Sequence, residues 1–313
     1  MDVAEIIATE QSAEQWFVRM RWPDGVECPV CESKNVQVRE TRKPQPFRCR
    51  SCRKDFSVRT HSIMHASNLS YRVWWLAIYQ LVTNLKGVSS MKLHRDLGIS
   101  QRAAWHLAHK IRRAWAVGAA GGKANFIGPV EVDETFVGGR QRSRHSKQRR
   151  YWRERANEVD ANGVTHYWGS MVAVAGVKDR RTNRISAAVI PNIERHTLHD
   201  FITERTDRSA MVYTDDAIAY RRLPRRREAV NHSAGEYVRG EVGTQGIESF
   251  WAMLKRGYKG TYYWWSEKHL HRYLAEFAGR HNNRPVDTEE QMRRMVRNMH
   301  RRHLSYARLV AGQ

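Results

Sequence analysis

Apolar residues recur along this chain with two different periods, and the change falls just after residue 123. Before it, Ile6, Ile7, Trp16, Phe17 and Met20 predict a short amphipathic helix within residues 1–20. A helical stretch follows from Leu69 to about Trp115, and Gly118 to Lys123 reads as a linker by composition. Beyond it, Val130-Glu131-Val132-Asp133 opens a strand, and Tyr167 to Val177 and Arg184 to Ile190 predict two more. Thr197 to Arg205 predicts a helix, and Met211 to Thr214 a short buried strand that runs into Asp215-Asp216. Ile247, Phe250, Trp251 and Leu254, at i, i+3, i+4 and i+7, predict a helix over Gly246 to Lys255. Ser266 caps a last long helix through Asn282, with Leu270, Tyr273, Leu274 and Phe277 on one face. The pattern is that of a multidomain α+β protein without internal repeats. Its expected parts are an N-terminal helix (1–22), a cysteine-bearing segment (23–60), a helical region (61–120), a mixed α/β domain (121–285) and a basic C-terminal helix (286–313).

Charge narrows the function. The 313 residues include 54 Lys and Arg against 32 acidic residues, a net charge of +22. So large an excess calls for a polyanionic partner, most simply nucleic acid. The basic block Arg140 to Arg155, with eight Lys or Arg and one Glu, reads as a loop or an insertion. It and the five arginines of Arg221 to Arg227 would neutralise phosphates and make binding steeply salt-dependent. Tyr262-Tyr263-Trp264-Trp265 reads first as core or hairpin packing and second as a platform for unpaired bases. Arg293 to His303 reads as a basic amphipathic helix for DNA or a second protomer. His145, His166, His196, His199 and His232 are scattered and carry no assignment. Asp2, Glu5 and Glu10 argue against a signal peptide, and the longest apolar run, Met171 to Val177, is too short for a membrane span. A cytoplasmic protein is the expectation.

Two segments carry recognisable chemistry. All four cysteines lie in Cys28-Pro-Val-Cys31 and Cys49-Arg-Ser-Cys52, two knuckles separated by seventeen residues. That spacing lets Cys28, Cys31, Cys49 and Cys52 converge on one tetrahedral Zn²⁺, a structural ion because four thiolates leave no position for water. Ser90 to Leu97, a turn at Gly98, and a second helix capped by Ser100 form a helix-turn-helix-like pattern. Leu93, Leu97, Ile99, Ala104 and Leu107 would be its core, and Gln101 and Arg102 could face a major groove.

Three carboxylates stand far apart in the second half: Asp133 on a strand, Asp215 at a strand end and Glu248 on a helix. A mixed sheet can bring such positions to one edge. There they would hold two divalent ions about 3.5–4 Å apart for in-line phosphoryl transfer, and oxygen ligands suit Mg²⁺ or Mn²⁺. Lys255 lies two helical turns after Glu248, on nearly the same face, where its ammonium can meet a phosphate. Composition alone does not separate this set from solvated surface acids. Glu131, two residues before Asp133, shares its strand face, so that spacing leaves it open as a helper.

Longer motifs do separate it. Arg21-Trp22-Pro23-Asp24-Gly25-Val26-Glu27-Cys28-Pro29-Val30-Cys31, Val132-Asp133-Glu134-Thr135-Phe136-Val137-Gly138-Gly139, and Ile247-Glu248-Ser249-Phe250-Trp251 with Leu254-Lys255-Arg256-Gly257 resemble bacterial insertion-sequence transposases. The group is the one with an N-terminal zinc ribbon and a DDE-type catalytic domain, the insertion sequence fifteen-ninety-five family. Thr214-Asp215, His269-Leu270, Tyr273, Glu276-Phe277 and Arg280-His281-Asn282 match its pattern too, so that the likeness runs from about Ala13 to Arg284. The resemblance implies an RNase H-like fold for residues 121–285 and double-stranded DNA, both transposon ends and target, as partner. It implies cleavage by activated water and joining of the freed 3′-hydroxyl, in a homo-oligomer that pairs two ends. Asp133, Asp215 and Glu248 are then its catalytic, magnesium-binding carboxylates and Lys255 the basic residue that follows. Asp216 adjoins Asp215, which is favoured because it directly follows the apolar strand. The chain departs from the family where a His-x-Asn pattern usually precedes Ile-Glu: Gly243 and Gln245 stand there. That departure sustains a rival reading, a catalytically inactive DNA-binding regulator descended from a transposase.

Overall fold

The computed structural model describes residues 2–138, 158–167, 171–230 and 243–312. Gly139, the Arg140–Arg155 block, His145 and His232 lie outside the described residues, as do positions 168–170 of the strand expected from Tyr167. The chain divides into two compact units, Met1–Trp115 with Asn283–Gln313, and Ala116–Asn282.

In the first unit the expected N-terminal helix is two, α1 (Val3–Ile7) and α2 (Glu10–Arg21). The break is local: Thr9 and Ser12 close a capping box that starts α2 afresh. Next come three short antiparallel strands, β1 (Val36–Val38), β2 (Phe47–Cys49) and β3 (Asp55–Phe56). Trp22, Phe47 and Phe56 pack edge-on or tilted beneath them, with ring centroids 5.5–6.0 Å apart. The helices α3 (Tyr71–Thr83), α4 (Ser90–Leu97) and α5 (Gln101–Trp115) follow. Gly98 ends α4 in the left-handed region (φ 63°) and Ser100 accepts from the Ala103 N–H, the turn and cap that the pattern predicts. Leu93, Ala104 and Leu107 are buried there, while Leu97 and Ile99 are half-buried.

The second unit opens on a single 3₁₀ turn, Gly118–Gly121, where the composition predicts a linker. Ala120 is buried in the core of this unit, and a Cβ on Gly121 would lie 2.7 Å from the Ala116 carbonyl, so Gly121 serves close packing while Gly118 and Gly122 serve turns at positive φ (55° and 85°). The main sheet has five strands in the order β10-β9-β4-β7-β8, where β4 is Val130–Gly138, β7 Met171–Asp179, β8 Ile185–Ile190, β9 Met211–Asp215 and β10 Arg226–Val230. A small hairpin, β5 (Glu158–Val159) and β6 (Thr165–His166), forms a separate two-stranded sheet, tied to the main one where the Thr165 N–H donates to Pro191 O at 2.7 Å. Strands β4, β7 and β8 are antiparallel, whereas β9 and β10 run parallel to β4. Helix α6 (Arg195–Thr203) packs with one face of the sheet, and α7 (Gln245–Gly257) and α8 (Glu267–Asn283) with the other. Strand β10 was hidden in the sequence because its arginines read as a surface charge block. Arg225 in fact donates to the Thr203 and Thr206 carbonyls and Arg227 to that of Asp215, leaving Arg221, Arg222 and Arg226 exposed.

The C-terminal segment returns to the first unit as two helices, α9 (Thr288–Asn298) and α10 (Tyr306–Ala311), where one is expected. Met292, Met295, Val296, Met299, Leu304 and Leu309 are buried in that unit, so the apolar face of the tail covers this chain's own core. Ile63 N–H donates to Met299 O at 3.1 Å and Arg301 N–H to His61 O at 2.7 Å.

Candidate functional site

The four thiols come together as the knuckles require. Their sulfurs all lie within 4.8 Å of one another, with Cys28 to Cys52 and Cys31 to Cys49 at 3.6 Å. Zinc–sulfur bonds of about 2.3 Å in a tetrahedron set sulfurs about 3.8 Å apart, so the cluster fits that ion closely. Each knuckle turns through a left-handed residue just after its second cysteine, Glu32 (φ 62°) and Arg53 (φ 59°). The Cys52 N–H donates to the Cys49 sulfur at 3.5 Å, and this bond, ahead of the neighbouring thiols, draws the Cys49 thiol down to about 6, towards the thiolate a metal needs.

Topology brings the carboxylates towards one another, without closing their oxygens to the 4.8 Å spacing of the thiol cluster. Val130 pairs with Val212 and Glu131 with Tyr213, and the ladder then ends. Continued by two residues, the register sets Asp133 level with Asp215, on parallel strands that no longer bond to each other there. Asp133 pairs with Gly176 on its other side, and a Cβ on Gly176 would lie 2.7 Å from Trp251 of α7. Absence of that carbon lets α7 lie against the sheet beside Asp133 and brings in Glu248 from its first turn. Burial, then the charges of Glu134, Asp215 and Glu248, push the Asp133 carboxyl up to about 7. Asp216 turns aside to Arg227, 3.9 Å away. Glu248 is exposed and accepts from the Thr244 hydroxyl at 3.0 Å.

Glu131, the expected helper, has a different task. One of its oxygens accepts from the Ile247 N–H at 2.8 Å and the other from Arg180 at 2.7 Å, so it caps the start of α7. Arg180 also donates to the Gly243 carbonyl at 2.8 Å. The departure from the family pattern thus sits at a fixed helix entry, with Gly243 buried and Gln245 exposed. Lys255 is exposed and lines a cavity of about 380 Å³ with Leu254, Tyr258, Lys259, Trp265 and the end of β4. A larger hollow of about 810 Å³, lined by Val3, Tyr79, Arg293 and the acidic start of α9, lies in the other unit and holds none of the candidate residues.

Sequence reasoning missed two groups. Buried Tyr220 donates its hydroxyl to Glu134, whose carboxyl burial pushes up. The Asp-Glu pair was visible, but strand alternation sends Glu134 to the opposite sheet face and nothing marked Tyr220 as its partner. The second is Asp160, His166 and Glu267, whose ligand atoms lie within 4.8 Å of one another; His166 is 3.3 Å from Asp160 and 3.7 Å from Glu267. Several motif residues have structural duties: Glu276 accepts from Tyr262 and from Arg280, and Asn282 bonds both backbone groups of Ile185. Of the residues expected to face a groove, Gln101 donates to Ser90 at 3.1 Å and Arg102 stacks on Tyr306.

Comparison with known proteins agrees with both units. Residues 125–282 match the ISXO2-like transposase domain and residues 8–55 the transposase zinc-ribbon domain. A relative from Halobacterium salinarum, described as an uncharacterized protein in transposable element ISH50, is 26% identical over 257 residues, covering 79% of this chain and 83% of its own. No solved structure matches the chain. Among the described residues no helix is long and apolar enough to cross a membrane. The four-cysteine cluster and the ribbon match together point to a structural zinc, and the domain match spans half of the sequence: the chain belongs to the IS1595 family of insertion-sequence transposases, of ISXO2-like type.

Proposed function

We propose that this protein is an active DNA transposase: it binds transposon ends, cuts them and joins the freed 3′-hydroxyl to target DNA. The observation that carries this reading is the meeting of acids at the half-buried Asp133, where burial, then the charges of Glu134, Asp215 and Glu248, hold the carboxyl near 7. Like charges gathered at such cost favour a cation among them. The donor set is all carboxylate oxygen, which fits Mg²⁺ or Mn²⁺. Two such ions, when bound, would supply Lewis-acid stabilisation of the attacking and leaving oxygens. Asp133, Asp215 and Glu248 hold them. Lys255 presents its ammonium to a phosphate, and Glu131 fixes the helix that carries both Glu248 and Lys255. Three antiparallel strands followed by two parallel ones support an RNase H-like assignment for this sheet. The pair α4–α5 and the net charge of +22 support double-stranded DNA as partner, in a homo-oligomer that pairs two ends in the bacterial cytoplasm, at the nucleoid.

The test uses purified protein, the native DNA flanking the gene and Mg²⁺ or Mn²⁺. Joined products are expected from the wild type. Asp133→Ala should lower joining by about a thousandfold, the equivalent of several kcal/mol of lost charge stabilisation, with DNA affinity nearly unchanged. Normal joining by the variant would refute the site. Tight binding without cutting by the wild type would restore the inactive regulator.

A further inference from the structure

Asp133 and Asp215 are each held from their outer sides. Asp133 pairs with Gly176 of β7, and Asp215 pairs with Val230 of β10 while its carbonyl accepts from Arg227 at 2.7 Å. Between them the ladder of β4 and β9 runs through Val130–Val212 and Glu131–Tyr213 and then ends. Ladder bonds therefore do not set the gap between the two acids. Ligands that work as a unit are held within about 0.5 Å of their productive geometry, so another contact has to set it.

A side-chain path crosses that gap. The Ala217 N–H donates to Asp215 Oδ1 at 3.1 Å and leads into a 3₁₀ turn, Ile218–Tyr220, where the Tyr220 N–H donates to the Ala217 carbonyl at 3.1 Å. Tyr220 is 0% exposed, in the core of the α6 face with Val132 and Val212. Its hydroxyl donates to the half-buried Glu134, the residue after Asp133. Burial first, then Glu134 and the charges of Asp133 and Asp215, push that hydroxyl up, so it stays a donor and both acids lie within electrostatic reach of it. Strand alternation puts Glu134 and Asp133 on opposite faces, so the tyrosine grips β4 from the α6 side while Asp133 serves the α7 side. A buried hydroxyl needs some acceptor, and a backbone carbonyl would serve. This one instead joins the turn after one candidate ligand to the residue after another.

We propose that the Tyr220–Glu134 bond is a strut that fixes the separation of Asp133 and Asp215, which makes Tyr220 a positioning residue for the carboxylate site. The proposal rests on the transposase reading above and adds the groups that set its ligand geometry. Tyr220 acts through the turn that the Asp215 carboxylate caps, and Glu134 through the backbone it shares with Asp133. A tyrosine with a merely structural role would stabilise the fold without changing how tightly the two acids hold a cation.

The probe is Mn²⁺, titrated into the full-length, zinc-loaded protein and followed by the free-ion electron paramagnetic resonance signal, with joining of transposon-end DNA measured beside it. The wild type is expected to take up Mn²⁺ at a site that Asp133→Ala removes. Tyr220→Phe deletes one oxygen and should slow joining by about 10–100-fold, the scale of a misplacement near 1 Å. It should also weaken Mn²⁺ binding several-fold while leaving DNA affinity unchanged. Glu134→Gln keeps an acceptor for the hydroxyl and should keep most of the Mn²⁺ binding and the joining. Ile185→Ala, at a buried position on the far edge strand β8, controls for stability: it should lower the melting midpoint at least as far as Tyr220→Phe yet leave Mn²⁺ affinity unchanged. Wild-type Mn²⁺ affinity in Tyr220→Phe, an equal weakening by Ile185→Ala, or loss of joining in Glu134→Gln as complete as in Asp133→Ala would overturn the strut and leave the site reading standing. Mn²⁺ uptake that Asp133→Ala does not alter would overturn both.

Discussion

The thiolate cluster and the carboxylate cluster are both candidate metal sites, built by opposite means. The cysteines lie within twenty-five residues, and each knuckle places two sulfurs by local turns alone. The carboxylates come from β4, the end of β9 and the start of α7, and only the sheet's register and one missing Cβ bring them near each other. Backbone N–H groups favour the charged form of Cys49, whereas burial and like charge disfavour that of Asp133. A site made of local turns already has its sulfurs in place, and one of them, Cys49, is drawn towards the thiolate while Cys52 is held as the thiol. A site made of distant carboxylates is held against its own repulsion by the fold.

This contrast can be broken from either side. The largest expected effect belongs to the ribbon. Cys49→Ser should abolish zinc content, measured by atomic absorption, and remove stabilisation on the order of 10 kcal/mol from the small three-stranded sheet. If the variant kept its zinc, the tetrathiolate assignment would be wrong. A smaller effect is expected from Gly176→Ala, whose methyl group would press on Trp251 at 2.7 Å and Ile247 at 3.0 Å. It should cost about 1–3 kcal/mol in denaturant unfolding and reduce joining more than DNA binding, with zinc content unchanged. Unaltered joining and stability would mean that α7 does not depend on this close approach.

The smallest effect lies outside both clusters, in the tail. Burial, then the charge of Arg21, holds the His300 imidazole down at about 4, and its ring nitrogen lies 2.8 Å from the Arg21 guanidinium. The folded state therefore binds fewer protons than the unfolded one between 4 and the ordinary value of 6.5. Stability from this contact is complete above 6.5 and lost as pH falls through that window. His300→Gln should flatten the decline of the melting midpoint over the same range; equal slopes for variant and wild type would remove His300 as its source.

Much of this was legible in the linear pattern. The cysteine spacing, the turn at Gly98, the strand that carries Asp133 and the helix that carries Glu248 all follow from rules that act over a few residues. Other features were not. Arg225 and Arg227 read as surface charge, yet they bond backbone carbonyls and belong to or adjoin an edge strand. The Met-rich tail read as a surface for partners, yet its apolar face fills this chain's own first unit. Glu131 read as a helper to Asp133, yet it caps α7 from across the sheet.

By itself the sequence determined the local pieces: the periods, the caps, the two thiolate knuckles and the identity of the acids. Those depend on neighbours within one or two turns, where steric and hydrogen-bond preferences are the same in any fold. Tertiary structure alone decided which acids meet, that Glu134 finds Tyr220, and that Tyr262 bonds Glu276 while Trp265 stacks on Tyr273. Each of these depends on a register or an approach between distant segments, and side-chain charge or apolarity carries no record of where a strand ends or how closely a helix can approach it.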